Sequence, residues 1–327
     1  MLTAITGKAL RRMAISRDEA REFLALPRTA LPDILQAASR VRRHFKGDTA
    51  VLCSIVNAKS GKCSENCIFC AQSAHHKTAV EEWALRSDDE ITAVARTDAP
   101  YATLFGIVTS GRALNKKELA AVEKTIVGFA VEKIPQKPCA SLGILTAAEL
   151  RSLKAAGLKR YHHNLEVSRN FFPQLCTTHT YDQRVATVLA AQEAGLETCV
   201  GGIFGVGESV EDRIDLLFEI RDLAPDSVPL NFLVPIAGTP VGHLPPFDLF
   251  EAVKLIALAR FILPDKDIKV GGGRIEVFGD SQALVFLAGA NSIITGDLLT
   301  VKGRKSADDI KLLEDLGLTQ NPPSIPL

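Results

Sequence analysis

A chain of 327 residues with 46% apolar content can bury one large core, as a single α/β barrel or as two ordinary domains. Thirty-eight lysines and arginines balance 38 aspartates and glutamates, so no charge excess argues for nucleic acid or a membrane surface as a partner. No apolar run approaches the ~20 residues of a membrane span, and the basic start at Arg11 and Arg12 leads into an acidic helix rather than an apolar signal core, which predicts a soluble cytoplasmic protein.

In chain order, residues 1–47 read as a helical cap, with a Ser16/Glu19 capping box marking one helix start. A β-prone run at 50–57 follows, then a cysteine-bearing loop at 63–70 and a second capping box at Ser87/Glu90. From there short apolar runs at 103–109, 138–142, 160–165, 197–204, 228–234, 268–271 and 292–294 alternate with longer stretches such as 118–133, 183–194, 211–223 and 249–262, whose apolar residues recur every three or four positions. Thr146 and Glu149 box another helix start. Eight strands alternating with helices, and no Ser/Gly/Pro-rich linker between them, predict an α/β fold: a (β/α)8 TIM-type barrel over 48–304, with a helix and tail over 305–327. No internal repeat or low-complexity tract interrupts it.

Seven cysteines is an odd number and three of them fall within eight residues, which suits a metal in a reducing compartment better than a disulfide framework. The segment Lys62-Cys63-Ser64-Glu65-Asn66-Cys67-Ile68-Phe69-Cys70 has the spacing C-x3-C-x2-C, directly after the first strand, where a barrel builds its active site. Three thiolates fill three irons of a 4Fe-4S cube and leave the fourth open for chemistry, whereas an electron-carrying ferredoxin supplies four ligands. Zinc is the alternative, with His75 or His76 as competing ligands, although a structural zinc site asks for four ligands in recurring pairs.

This loop, with the aromatic Phe69 just before its last cysteine, resembles that of the radical S-adenosylmethionine superfamily. The resemblance implies that S-adenosylmethionine chelates the open iron of a cluster held by Cys63, Cys67 and Cys70, and is cleaved to methionine and a 5′-deoxyadenosyl radical that abstracts hydrogen from an unactivated carbon. Further segments are similar to the biotin synthase family: the stretches at 57–78, Tyr-His-His-Asn-Leu-Glu at 161–166, Thr-Thr-His-Thr-Tyr-Asp-Gln-Arg at 177–184, Cys-Val-Gly-Gly-Ile-Phe-Gly-Val-Gly-Glu at 199–208, 228–235 and 288–293. The likeness implies sulfur insertion between C6 and C9 of dethiobiotin, with a flavodoxin or ferredoxin as electron donor and a homodimer as the assembly.

His162, Asn164 and Glu166 alternate along one predicted strand, so a period of two sets all three on one face. By resemblance Asn164 and Glu166 serve the ribose of S-adenosylmethionine, Asn164 and Asn231 the ureido ring of dethiobiotin, and Arg184 the methionine carboxylate; His162 stands where the family has Asn, and Glu166 where it has Asp. His163, on the other face, reads as a core residue, and Cys176 as a small buried hydrophobe. Gly201, Gly202, Gly205 and Gly207 lack phosphate-loop spacing and are expected to let the backbone approach a cofactor.

The family also carries an auxiliary cluster, usually 2Fe-2S, on three strand cysteines and an arginine. Cys139 and Cys199 match two of these positions, but Gly106 stands at the third cysteine and Lys269 at the arginine. Cys53 lies on the first strand, and in a closed barrel alternate strands share an interior layer, so Cys53, Cys139 and Cys199 are expected to hold an auxiliary iron–sulfur cluster, 4Fe-4S in type rather than 2Fe-2S. Rival readings are a related radical enzyme, akin to the hydrogenase maturases or methylornithine synthase, and a non-catalytic iron–sulfur carrier or sensor.

Overall fold

A computed structural model of the protein describes residues 1–320; the end of the predicted tail lies outside them. The strands, in chain order, are β1 (Thr49–Lys59), β2 (Leu104–Thr109), β3 (Lys137–Ser141), β4 (Arg160–His162), β5 (Glu197–Cys199), β6 (Gly202–Phe204), β7 (Ser227–Phe232), β8 (Asp267–Val270), β9 (Ser292–Ile294) and β10 (Thr319–Gln320). Each strand from β1 to β4 pairs with the next, β5 and β6 both pair with β7, β7 with β8 and β8 with β9, all parallel. β9 then returns to β1, with Val51 opposite Ser292 and Cys53 opposite Ile294, and the sheet closes into an eight-membered barrel. β10 adds two residues to the start of β1 outside that ring.

The predicted strand at 197–204 is two short ones. Gly201 causes the break: a Cβ there would stand 1.8 Å from the Pro229 carbonyl oxygen, so the chain crosses β7 too closely for any side chain. β5 pairs below this crossing, through Cys199 and Ser227, and β6 above it, through Gly202 and Leu230.

All three predicted capping boxes form, at Ser16, Ser87 and Thr146. The helix Leu249–Ile262 is buried nearly all round, from Phe250 and from Ala252 through Ile262, because it packs on β8 from one side while the helices Arg17–Leu24 and Leu31–Lys46 cover its outer face. That covering is the structural use of the N-terminal segment. Among the described residues no helix is long and apolar enough to cross a membrane.

The C-terminal helix Ser306–Asp315 is fastened by one buried ion pair. The two carboxylate oxygens of Asp309, fully buried, accept from Arg274 Nη1 at 3.0 Å and Nη2 at 2.7 Å, and Arg304 adds a third contact at 3.3 Å. Asp309→Ala leaves the buried Arg274 without its carboxylate and should lower stability by about 3–5 kcal/mol, measured by equilibrium denaturation in urea.

Candidate active site

The cluster loop leaves β1 through two left-handed residues, Gly61 (φ 74°) and Lys62 (φ 48°), and is then held by its own backbone. Cys63 N–H donates to the Gln72 carbonyl and Ala74 N–H to the Cys63 carbonyl, at 2.9 and 2.8 Å, while Cys70 N–H closes a turn on Cys67 at 3.0 Å. His75 and His76, the competing zinc ligands, are engaged elsewhere: their Nε2 atoms lie 3.0 Å from the Ser64 and Cys67 carbonyl oxygens. Burial pushes the Cys70 thiol up to about 11.

The loop opens onto a cavity of about 400 Å³ at the C-terminal mouth of the barrel, a size suited to small-molecule ligands. All three loop cysteines line it, and so do the strand cysteines Cys53, Cys139 and Cys199. Phe69, His162, Asn164, Glu166, Arg184 and Asn231 line the same space. The donor sets fit two iron–sulfur groups: three thiols on a pinned loop, and three more on the barrel floor, all free. Cys53 and Cys139 share a small buried cluster with Leu104. Burial would push Cys199 up, but the charges of Lys269, His162 and Arg160, with a hydrogen bond from His162, bring it down to about 6, and burial carries Cys139 up to about 12.

β4 ends at His162, so Asn164 and Glu166 sit on extended chain beyond it, and Glu166 adopts a left-handed φ of 73° that the strand reading did not anticipate. Gly202 makes room for it, since a Cβ at Gly202 would lie 2.3 Å from the Glu166 carbonyl oxygen. The polar stripe is therefore fixed by backbone. Asn164 Oδ1 accepts from Gly201 N–H at 3.1 Å, and Asn231 both accepts from Gly272 N–H (2.9 Å) and donates to the Gly202 carbonyl (3.1 Å). Gly201 and Gly202 thus serve contact between protein backbones rather than approach to a cofactor. The turn at Gly205 and Val206 gives its amides to the buried Glu208 carboxylate, at 2.8–3.0 Å. His163 is a core residue as expected, stacked on Tyr161 and kept neutral by burial.

Arg184, in the helix Tyr181–Glu193, is buried and aimed by a chain of contacts that begins in the cluster loop. Glu65 Oε2 lies 2.5 Å from His179 Nδ1, Arg184 Nε donates to His179 Nε2 at 3.0 Å, and Arg184 Nη1 donates to the Asn164 carbonyl at 2.9 Å. An arginine N–H can only donate, so His179 carries its proton on Nδ1 and presents it to Glu65. Cys176, expected to be an inert core thiol, belongs to this network: its Sγ is 3.3 Å from Asn66 Oδ1 and from His179 Nδ1. Cys67, Cys176 and His179 place their ligating atoms within 4.8 Å of one another, but both His179 nitrogens are committed, which argues against a single metal ion among them. Sequence reasoning missed Glu65, Asn66 and His179 because their partners lie more than 100 residues away with no periodicity linking them.

A parallel barrel that turns a three-cysteine loop and a second set of thiols into one polar-striped cavity is the arrangement of a radical S-adenosylmethionine enzyme, and residues 58–220 match the Radical SAM superfamily. Residues 229–319 match the Biotin and Thiamin Synthesis associated domain. The chain is 48% identical over 308 residues to a biotin synthase of Heliobacterium modesticaldum, covering 94% of both chains, and 46% identical over 320 residues to one of Trichlorobacter lovleyi, covering 97% and 96%. It belongs to the biotin synthase family. Methylornithine synthase (TM-score 0.84, 20% identity, 97% of each chain) and the hydrogenase maturase HydG (TM-score 0.83, 15% identity, 98% of this chain and 75% of that one) share the fold, so the rival enzymes named above are relatives in architecture, and the much higher identity favours biotin synthase.

Asn66 stitches the cluster loop to the 176–179 connector, accepting from Thr177 N–H at 2.9 Å and donating to Thr177 Oγ1 at 2.7 Å. In Asn66→Ala, hydrogen exchange at Thr177 should speed up by about tenfold, the ~1.4 kcal/mol of one net hydrogen bond, as read by amide exchange with mass spectrometry.

Proposed function

We infer that the chain is a biotin synthase: it uses S-adenosylmethionine to remove hydrogens from C9 and C6 of dethiobiotin, and sulfur from an auxiliary iron–sulfur cluster bridges the two carbons. The observation that carries this reading is two trios of thiols opening on one cavity that His162, Asn164, Glu166 and Asn231 also line. When bound, the cluster on Cys63, Cys67 and Cys70 supplies the electron that splits S-adenosylmethionine into methionine and a 5′-deoxyadenosyl radical.

The chain's own residues do the rest. Arg184, with Nε and Nη1 engaged by His179 and Asn164, is held where its remaining N–H groups would bind the methionine carboxylate. Asn164 and Glu166, 3.3 Å apart, offer an amide and a carboxylate to the ribose hydroxyls. Asn231 keeps one amide hydrogen and one lone pair free after its two backbone bonds, enough to meet the N–H and carbonyl of a ureido ring, with Asn164 and His162 beside it. Phe69, Ile203 and Phe232 give the cavity apolar walls that exclude water from a reactive radical. Cys53, Cys139 and Cys199 hold the sulfur donor, a 4Fe-4S-type cluster. Reduced flavodoxin or ferredoxin as electron source, a homodimer and a cytoplasmic setting complete the proposal, supported by the family and by seven free thiols.

Anaerobic protein given dithionite, S-adenosylmethionine and dethiobiotin should yield biotin and 5′-deoxyadenosine together; deoxyadenosine without biotin defeats the substrate assignment. Reconstituted protein should hold about eight irons per chain, falling to about four in Cys53→Ala, with deoxyadenosine still formed and biotin lost. His179→Ala should raise the KM for S-adenosylmethionine about tenfold with iron content unchanged, since Arg184 loses the partner that aims it, and His179→Gln, which can accept from Arg184, should restore part of it.

A further inference from the structure

Two cations are buried at the barrel floor with little to neutralise them. Arg160 is 7% exposed and Lys269 5%. Arg160 spends Nε and Nη2 on one oxygen of Glu197, at 3.0 and 2.7 Å, and the side chain of Glu197 is 39% exposed. Its remaining nitrogen, Nη1, is buried with no hydrogen-bond partner. Lys269 Nζ lies 3.9 Å from Cys199 Sγ.

Both side chains line the cavity with Cys53, Cys139 and Cys199. Their positions follow from register: Arg160 pairs with Cys139 on one side and Glu197 on the other, and Lys269 is two strands beyond Cys199. The carboxylates near these two cations are the exposed Glu197 and the buried Asp267, which is already paired with Lys46 at 2.8 Å, so an anion in the cavity that both cations line is favoured. An iron–sulfur cube on three thiolates is such an anion, and its sulfur atoms accept hydrogen bonds.

We infer that Arg160 and Lys269 are a pair of outer cations to the auxiliary cluster, set against its charge from β4 and β8. This rests on Cys53, Cys139 and Cys199 as the cluster's ligands. Positive charge and hydrogen bonds to cluster sulfur favour the reduced, more negative form, so the clamp raises the cluster's reduction potential. The bland alternative is that Lys269 only offsets the Cys199 thiolate and Arg160 only Glu197, in which case neither touches the cluster.

The test uses full-length protein with Cys63, Cys67 and Cys70 replaced by alanine, so that only the auxiliary cluster titrates. Iron content is measured beside an EPR-monitored redox titration. Lys269→Met and Arg160→Met are expected to keep the iron and move the midpoint to more negative potential, and Lys269→Arg to keep the parent midpoint. Loss of iron in Lys269→Met that Lys269→Arg restores supports the clamp equally. Full iron with an unmoved midpoint in both methionine variants overturns the clamp and leaves the ligand assignment standing, and loss that Lys269→Arg does not restore also overturns it. A parent protein that takes up no iron overturns both.

Discussion

The site depends on the pairing of β9 with β1. That contact turns an open parallel sheet into a ring, and only in a ring do side chains from β1, β3 and β5 face one another across an interior. Cys53 and Ile294 are cross-strand neighbours at the seam, and Lys269 lies opposite Ser292 one strand further round. In an open sheet Cys53 and Cys199 would be at distant strands. Closure also explains why the N-terminal helices matter to chemistry: by covering Leu249–Ile262 they bury the helix that backs β8, and β8 carries Lys269.

Within the ring, the two ends of the cavity are built by different physics. The cluster loop is polar chain held by short-range turns and by a carboxylate, Glu65, that is itself fixed by Thr178 at 2.8 Å and by His179. The same histidine aims Arg184. Loop and arginine are thus parts of one hydrogen-bonded unit, and a disturbance to either is felt by the other. The floor, in contrast, is strand-borne, and its side chains are placed by a period of two and by register alone.

This difference decides what could be read without a structure. Strand positions were legible: His162, the last residue of β4, and the strand cysteines Cys53, Cys139 and Cys199 line one cavity, while Asn164 and Glu166 reach it from chain beyond the strand. The break in the fifth strand was not, because the Pro229 carbonyl that excludes a side chain at Gly201 comes from a strand 28 residues on. The left-handed turn at Glu166 was hidden for the same reason, since the space it needs is granted by Gly202. Cys176 looked like a core thiol because burial and hydrogen bonding are indistinguishable in a lone cysteine. Arg160 drew no notice beside Tyr161, and its meaning depends on an orphaned nitrogen that only packing reveals.

On the floor, the neighbouring side chains favour a thiol on β1 over one on β2. Gly106 and Ile55 are paired across β2 and β1, and a Cβ on Gly106 would stand 3.0 Å from Ile55 Cγ2. Ile55 therefore occupies part of the volume that a cysteine on β2 would need, and it lies one pleat above Cys53 on the same inward face, both lining the cavity. Placing the thiol on β1 moves it toward the seam with β9 and leaves the wall above it apolar. A lysine on β8 ends 3.9 Å from Cys199 without the fork of arginine, and Arg160 on β4 brings a guanidinium to the same cavity. Thiol and wall pack as neighbours on one face, so Gly106→Cys alone would crowd Ile55.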